Sequence, residues 1–292
     1  MTTVRLIVNP AAAGGRAMRS LGAVSERLDA LGVGHHVELT RDLEHAGALA
    51  RQAAAAGEVA TGFGGDGLIG AIAGALVGSD GVLGVLPGGR GNDFARTLGI
   101  PLTAVDACAV LAHGTPRRID LGRAGERTFI GIASCGFDSD ANRIANQARL
   151  IRGNLVYAYG AIRALAGWRP ATFELTLDGG RTHVVTGYSV AAANSKAYGG
   201  GMYAAPAAEL DDGLLDVVTC ADMPKWRLLT SLLPKVYKGK HVEEPEVTVL
   251  KASQVTITAD RPFTLYADGD PIAELPVTVR VLPGAIQALV PR

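Results

Sequence analysis

The stretch Val59-Ala60-Thr61-Gly62-Phe63-Gly64-Gly65-Asp66-Gly67-Leu68-Ile69-Gly70 decides the fold. Val59 to Phe63 has the character of a short buried strand and passes without a spacer into a glycine turn. The small-residue run from Leu68 to Val77 then suits a closely packed helix. Working outward, the same unit recurs. Upstream, Val4 to Val8 reads as a strand and Arg16 to Leu31 as a helix with Met18, Leu21, Val24, Leu28 and Leu31 on one side. Val37 to Leu39 is a second strand, followed by a helix from Glu44 to Ala55. Downstream, Val82 to Leu86 is a fourth strand, closed by Pro87-Gly88-Gly89. This alternation predicts an α/β domain with a Rossmann-like parallel sheet covered on both faces. Such sheets take ligands beyond the carboxyl ends of their strands, where the glycine turns fall.

After Arg117 the texture changes. Alternating, β-branched segments cover Phe173 to Leu177, Val184 to Ala191, Val247 to Leu250, Val255 to Thr258 and Val277 to Val281. Helical stretches run from Asp138 to Leu165 and from Trp226 to Tyr237. Together they predict a second, mostly antiparallel β domain carrying two helices. The expected division is 1–122 and 123–283, with residues 284–292 returning to the first domain.

With 48% apolar and 19% charged residues, a chain of 292 residues can bury two cores. Its formal net charge of zero and 5% aromatic content argue against a nucleic-acid partner, which needs a basic groove or a stacking platform. Cys108, Cys135 and Cys220 are widely spaced and the six histidines share no ligand spacing, so reduced thiols and no zinc are expected. Met1 to Arg5 runs straight into a strand with no signal peptide, and no apolar stretch reaches the roughly 18 residues of a membrane span. The expected location is cytoplasmic, and any contact with a bilayer, at the inner face of the membrane, must be peripheral.

Three early turns can carry chemistry: Asn9-Pro10 through Gly14-Gly15, Gly64 to Gly67, and Gly88-Gly89-Arg90-Gly91-Asn92-Asp93. Glycine lets the backbone approach a ligand, and consecutive N–H groups at a helix start cradle an anion. The alternative is three ordinary βα turns. Residues 65–70 match GxGxxG, but they follow the third strand and residues 88–92 contain no acid, so the dinucleotide fingerprint fails. A P-loop is also missing, because Gly239-Lys240 is followed by His241. Asp66, between glycines, can hold Mg²⁺ beside a triphosphate or cap the following helix.

Gly64-Gly65-Asp66-Gly67 and Pro87 through Arg96 are followed in order by five further motifs. These are Cys135-Gly136-Phe137-Asp138, Tyr198-Gly199-Gly200-Gly201-Met202, Ala205-Pro206, Leu210 through Val217, and Asp268-Gly269-Asp270. The series resembles the diacylglycerol-kinase catalytic family, which includes bacterial diacylglycerol and sphingosine-type lipid kinases. The resemblance implies an ATP- and Mg²⁺-dependent lipid kinase, with diacylglycerol or a related lipid alcohol as acceptor. It also implies an N-terminal nucleotide domain and a C-terminal β-sandwich that faces the lipid at a membrane surface. Nucleotide contacts would fall on Asn9, Thr40, Gly64, Gly65, Asp66, Gly67, Leu68, Gly89, Arg90, Asn92 and Asp93. Glu209, Asp212 and the Leu214 carbonyl would correspond to a structural Mg²⁺ site, with a plain acidic turn as the alternative. Asp66, Asp268 and Asp270 would form the catalytic group, with Asp270 as proton acceptor.

The chain departs from the family pattern at four places. Leu68 stands for the usual threonine, Gly70-Ala71 for Asn-Glu, Arg90 for a second threonine and Asp270 for glutamate. An arginine can grip a phosphate through two donors, but an aspartate is one methylene shorter than glutamate. Two rivals therefore stay open: a soluble-substrate kinase of NAD-kinase type, and a catalytically weak nucleotide- or lipid-binding homologue. Arg143, Arg149, Arg152 and Arg163 form either a solvated helix face or a headgroup patch. The oligomeric state is open, a homodimer being the assembly considered.

Overall fold

The computed structural model describes residues 3–137, 139–141, 144 and 155–292. Four parallel strands organise the first half: β1 (Thr3–Val8), β2 (Gly34–Leu39), β3 (Val59–Gly64) and β4 (Val82–Pro87). They lie in the order β2-β1-β3-β4. All of β3 is buried, as suits a central strand covered on both faces. Helices α1 (Arg16–Ala30), α2 (Leu43–Ala55) and α3 (Asp66–Leu76) make the crossovers. α1 buries Ala17, Val24 and Leu28 and leaves Met18 exposed, which corrects the stripe expected from sequence. The first turn of α1 packs against Gly88, where the short side chain of Ala17 fits. α2 and α3 touch through Gly47 and Ala75, a contact that small residues permit.

Two more helices, α4 (Asp93–Thr97) and α5 (Ala104–His113), lead into β5 (Thr115–Ala124). Thr103 caps α5 by accepting the Asp106 N–H. The chain then builds an antiparallel half from β6 (Arg127–Phe129), β7 (Ile132–Gly136), β8 (Ala171–Leu177), β9 (Arg181–Ala193), β10 (Leu215–Ala221), β11 (Val247–Ala252), β12 (Gln254–Ala259), β13 (Thr264–Ala267) and β14 (Asp270–Glu274). The first part of β9 pairs with β8, and its later part pairs with β7 and β10. Phe173, Leu175, Val190, Val217, Ile257 and Leu265 fill the core of this half.

Helix α6 (Leu155–Gly167) and helix α7 (residues 225–236, with a π turn at Leu228–Leu232) pack on this half through Leu165, Trp168, Tyr188, Leu228 and Leu232. The last strand, β15 (Val277–Val290), ties the two halves together. It begins antiparallel to β12, runs beside β5, and ends parallel to β4 at Gln287 and Ala288. A register break between Leu282 and Ile286 marks where it passes from one half to the other. The architecture is the expected parallel α/β sheet joined to an antiparallel β domain.

Candidate active site

In the order β2-β1-β3-β4 all strands run parallel, but the direction in which successive strands are added changes between β1 and β3, the switch point beyond whose carboxyl ends such sheets take ligands. The three glycine turns meet there. Asn9 N–H donates to the Phe63 carbonyl at 3.3 Å, and Gly88 N–H donates to that of Gly64 at 2.8 Å. Arg16 reaches across to the Gly89 carbonyl at 3.1 Å. A Cβ on Gly89 would lie 2.5 Å from Gly65 Cα, so these turns touch only because position 89 is glycine. Asn92 holds the third turn by accepting the Gly89 N–H at 2.8 Å, from a left-handed φ of 52°. Asn9, Gly64, Gly65, Gly67, Gly89 and the exposed Arg90 thus gather around one rim.

Two expected contacts have their side chains engaged within the protein. The Thr40 hydroxyl donates to the Asp42 carbonyl just before α2. Leu68 is 3% exposed and packs against Gly64, so its side chain belongs to the core and offers nothing to a ligand. The helix geometry of α3 turns position 68 inward while its first residue, Asp66, faces the cleft.

The carboxylates organise the junction between the halves. Asp66 Oδ1 accepts the Phe94 N–H at 3.0 Å, which ties the second glycine turn to the third. Asp93 accepts the N–H groups of Gly200 and Gly201, both at 2.7 Å. Positive φ angles of 62°, 87° and 105° at Gly199, Gly200 and Gly201 aim those N–H groups at it. Asp93 therefore clamps the two halves together, a role its expected nucleotide contact does not describe. Burial pushes its carboxyl above the usual range, and the nearby Asp66 adds to the rise.

Asp268 has a left-handed φ of 51° and accepts the N–H groups of Ile130 and Gly131 at 2.9 Å each. Desolvation, and then the charge of Asp66, push it up to about 7 despite those donors. Asp270 is exposed and lies two residues on, across the Gly269 turn.

Asp66, Asp93, Asp268 and Asp270 line one end of a cavity of about 840 Å³ between the two halves. Ile132, Phe137, Leu229, Leu233, Pro234 and Tyr237 line it elsewhere. One chamber thus offers carboxylates and an apolar wall.

Mg²⁺ has two places to be tested. In the cleft no described trio of acidic, His or Cys side chains can hold an ion alone. An ion brought by a nucleotide keeps phosphate and water ligands and asks for only one or two carboxylates, which Asp66 and its neighbours can supply. The second place, on Glu209, Asp212 and Leu214, does not fit. Lys251 Nζ donates to Asp212 Oδ2 at 2.7 Å, and Asp212 Oδ1 accepts the Leu214 N–H at 3.0 Å. The expected metal ligand is already engaged on both oxygens.

Of the arginines expected along the first helical stretch, Arg163 is exposed on α6. Arg143, Arg149 and Arg152, like Asp138, lie outside the described residues.

Sequence reasoning passed over Gly131 and Asp120. Gly131 leaves room for Asp268, since a Cβ there would lie 2.4 Å from Oδ1. Asp120 is 1% exposed and accepts the N–H groups of Gly213 and Gly284 at 2.8 and 2.7 Å. An acid between Ile119 and Leu121 in a strand was the available signal.

Residues 3–124 match the diacylglycerol kinase catalytic domain, and residues 131–290 match the YegS C-terminal NAD kinase beta sandwich-like domain. A diacylglycerol kinase of Mycobacterium tuberculosis is 34% identical over 296 residues, spanning 99% of this chain and 95% of that protein. The chain belongs to the diacylglycerol kinase family. Its kind of activity follows: it is a kinase whose acceptor is an alcohol. The crystal structure of a diacylglycerol kinase from Bacillus anthracis shares the fold, with a TM-score of 0.75 at 20% identity, covering 99% of this chain and 97% of that one. An NAD kinase from Archaeoglobus fulgidus in complex with ATP is more distant, with a TM-score of 0.50 at 14% identity over 98% and 92% of the two chains.

Proposed function

We propose that this chain transfers the γ-phosphoryl group of ATP to the hydroxyl of diacylglycerol or a closely related lipid alcohol. One observation carries the reading: the carboxylates and the apolar wall share a single cavity between the glycine rim and the antiparallel half. A lipid alcohol needs both, a polar end for its hydroxyl and an apolar wall for its chains. A soluble nucleotide acceptor would leave that wall without a partner.

In this reading the backbone N–H groups of Gly65 to Gly67 and of Arg90 and Gly91 receive the phosphates, and the Arg90 side chain grips one from the rim. Mg²⁺, when bound with the nucleotide, neutralises charge on the transferred group. Asp66 is the carboxylate that faces it. Asp93 keeps the halves in register, and Asp268 fixes the turn that presents Asp270. Asp270 then accepts the hydroxyl proton as the acceptor oxygen bonds to the γ-phosphorus and the bond to the β-phosphate breaks.

The acceptor would be drawn from a membrane surface. No helix among the described residues is long and apolar enough to cross one. On α7 and its end, Trp226 (66% exposed), Leu229, Leu233 and Tyr237 (51% exposed) form one stripe. The middle of this stripe lines the cavity. Lys225, Lys238 and Lys240 flank it and make no ion pair among the described residues. Exposed aromatics beside free cations suit an anionic bilayer.

The deciding assay offers labelled ATP, Mg²⁺ and a panel of micellar lipid alcohols alongside NAD. Transfer to NAD alone would refute the lipid reading, and ATP binding without transfer would favour the weakly catalytic homologue. For the surface, Trp226→Ala should lose binding to phosphatidylglycerol vesicles several-fold in sedimentation while keeping turnover on micelles. Unchanged vesicle binding removes this face from the proposal.

A further inference from the structure

The turn at residues 209–216 gathers Glu209, Asp211, Asp212 and Asp216 in eight residues. Such a concentration of negative charge on one turn needs a cation nearby, and the chain brings two of its own. Arg117 pairs with Asp211 from β5, its Nε donating at 2.9 Å. Lys251 comes from β11, where the sheet register sets it directly opposite Asp216. Its ammonium lies 2.7 Å from Asp212 Oδ2 and 3.7 Å from Asp216 Oδ2.

Asp216 is 1% exposed, and its Oδ2 accepts no hydrogen bond among the described residues. A carboxylate so placed is costly unless a fixed positive charge stands beside it.

We infer that the ammonium of Lys251 is the resident cation of this turn and takes the place that a structural divalent ion would otherwise fill. The position is set by strand pairing. A side chain opposite Asp216 on the neighbouring strand points to the same face, so a lysine there carries its charge to the acidic turn with no further adjustment.

The consequence reaches the cleft. Gly213 N–H, inside the turn, donates to Asp120, and Asn194 Nδ2 donates to the carbonyls of both Asp120 and Ile130. Gly131, next along, holds Asp268. The frame behind the carboxylate cleft is therefore anchored by a covalently attached charge, and this chain needs divalent ions only where its nucleotide brings them.

The test is thermal unfolding of the full chain without nucleotide or lipid, so it succeeds or fails independently of the kinase reading. Wild-type protein should melt at the same temperature in EDTA and in millimolar Mg²⁺. Lys251→Met should lower the melting temperature in EDTA by about 5 °C or more, and Lys251→Arg should restore most of it. A wild-type melting temperature that rises with Mg²⁺, with the rise abolished by Asp212→Asn, would overturn the inference. So would a Lys251→Met protein as stable in EDTA as the wild type. The wild-type comparison decides the matter even if Lys251→Met does not fold.

Discussion

Two acidic clusters in this molecule are built from the same side chains and handled in opposite ways. In the turn at 209–216, Arg117 and Lys251 lie within ion-pair distance of Asp211, Asp212 and Asp216. In the cleft, Asp66, Asp93 and Asp268 are held by backbone N–H groups, and among the described residues their one ion pair is that of Asp93 with Arg96 at 4.0 Å. Backbone dipoles position a carboxylate without cancelling its charge. The cleft acids therefore repel one another, and Asp66 contributes to the raised values of both Asp93 and Asp268. The contrast separates structure from function. Where the chain supplies the cation the cluster is a joint, and where it withholds one the cluster is ready for a charged ligand.

The two largest expected effects come from removing charge where the cleft faces its ligands. Asp66→Asn keeps an oxygen to accept the Phe94 N–H and loses the negative charge. Turnover should fall by about 10²–10³-fold, the size of effect seen when one electrostatic stabiliser is lost. Activity within a few-fold of wild type would make Asp66 a joint like Asp212 and break the comparison. Asp270→Asn should cost about 10²–10⁴-fold in turnover, the usual worth of a general base, with ATP affinity nearly unchanged. An unchanged rate would move proton acceptance to Asp268.

The parallel half was legible from sequence because βα units write their punctuation locally. Apolar runs end in glycine turns, and Asn9, Gly64 and Gly88 fall at corresponding strand ends without any tertiary information. The antiparallel half was legible as texture. Strands β7 and β10, rich in small residues and cysteine, escaped because they are buried on both faces and do not alternate.

The site was legible in its residue types more than in their roles. Asp93 and the three glycines at 199–201 stand about a hundred residues apart, so nothing local announces that one clamps the others. Lys251 escaped for the same reason, since its partner is set by strand register. Leu68 shows the reverse case, a residue placed correctly beside the turn whose side chain the helix directs into the core.

A subtler test uses pH. With Asp268 raised to about 7, its ionised form becomes dominant only above that value. Nucleotide-dependent turnover should rise with pH through about 7, and Asp268→Asn should remove the inflection. The sign for stability is opposite. A carboxyl raised by folding contributes stability that is complete below its unfolded value and is lost as pH rises through about 7. Nucleotide-free protein should therefore unfold more readily at pH 8 than at pH 5 through this group, and Asp268→Asn should flatten that slope. A wild-type profile with no step near neutrality would return Asp268 to the class of satisfied structural acids.

The smallest effect is expected at Gly70, where the chain departs from the family pattern. A Cβ there would lie 3.6 Å from Asp268 Oδ2, in ordinary contact and with no clash. Gly70→Ser places a hydroxyl one bond beyond that point, within reach of the carboxylate. A donor to the charged form favours ionisation, so the pH inflection should move down while maximal turnover changes little. The substitution also removes a glycine from the interior of α3, which should add a few tenths of a kcal/mol of stability. A lowered inflection would show that the cleft's unbalanced charge sets its working pH. An inflection that stays in place would mean that Asp268 is not the titrating group, and the contrast with the lysine-neutralised turn would then rest on Asp66 and Asp93 alone.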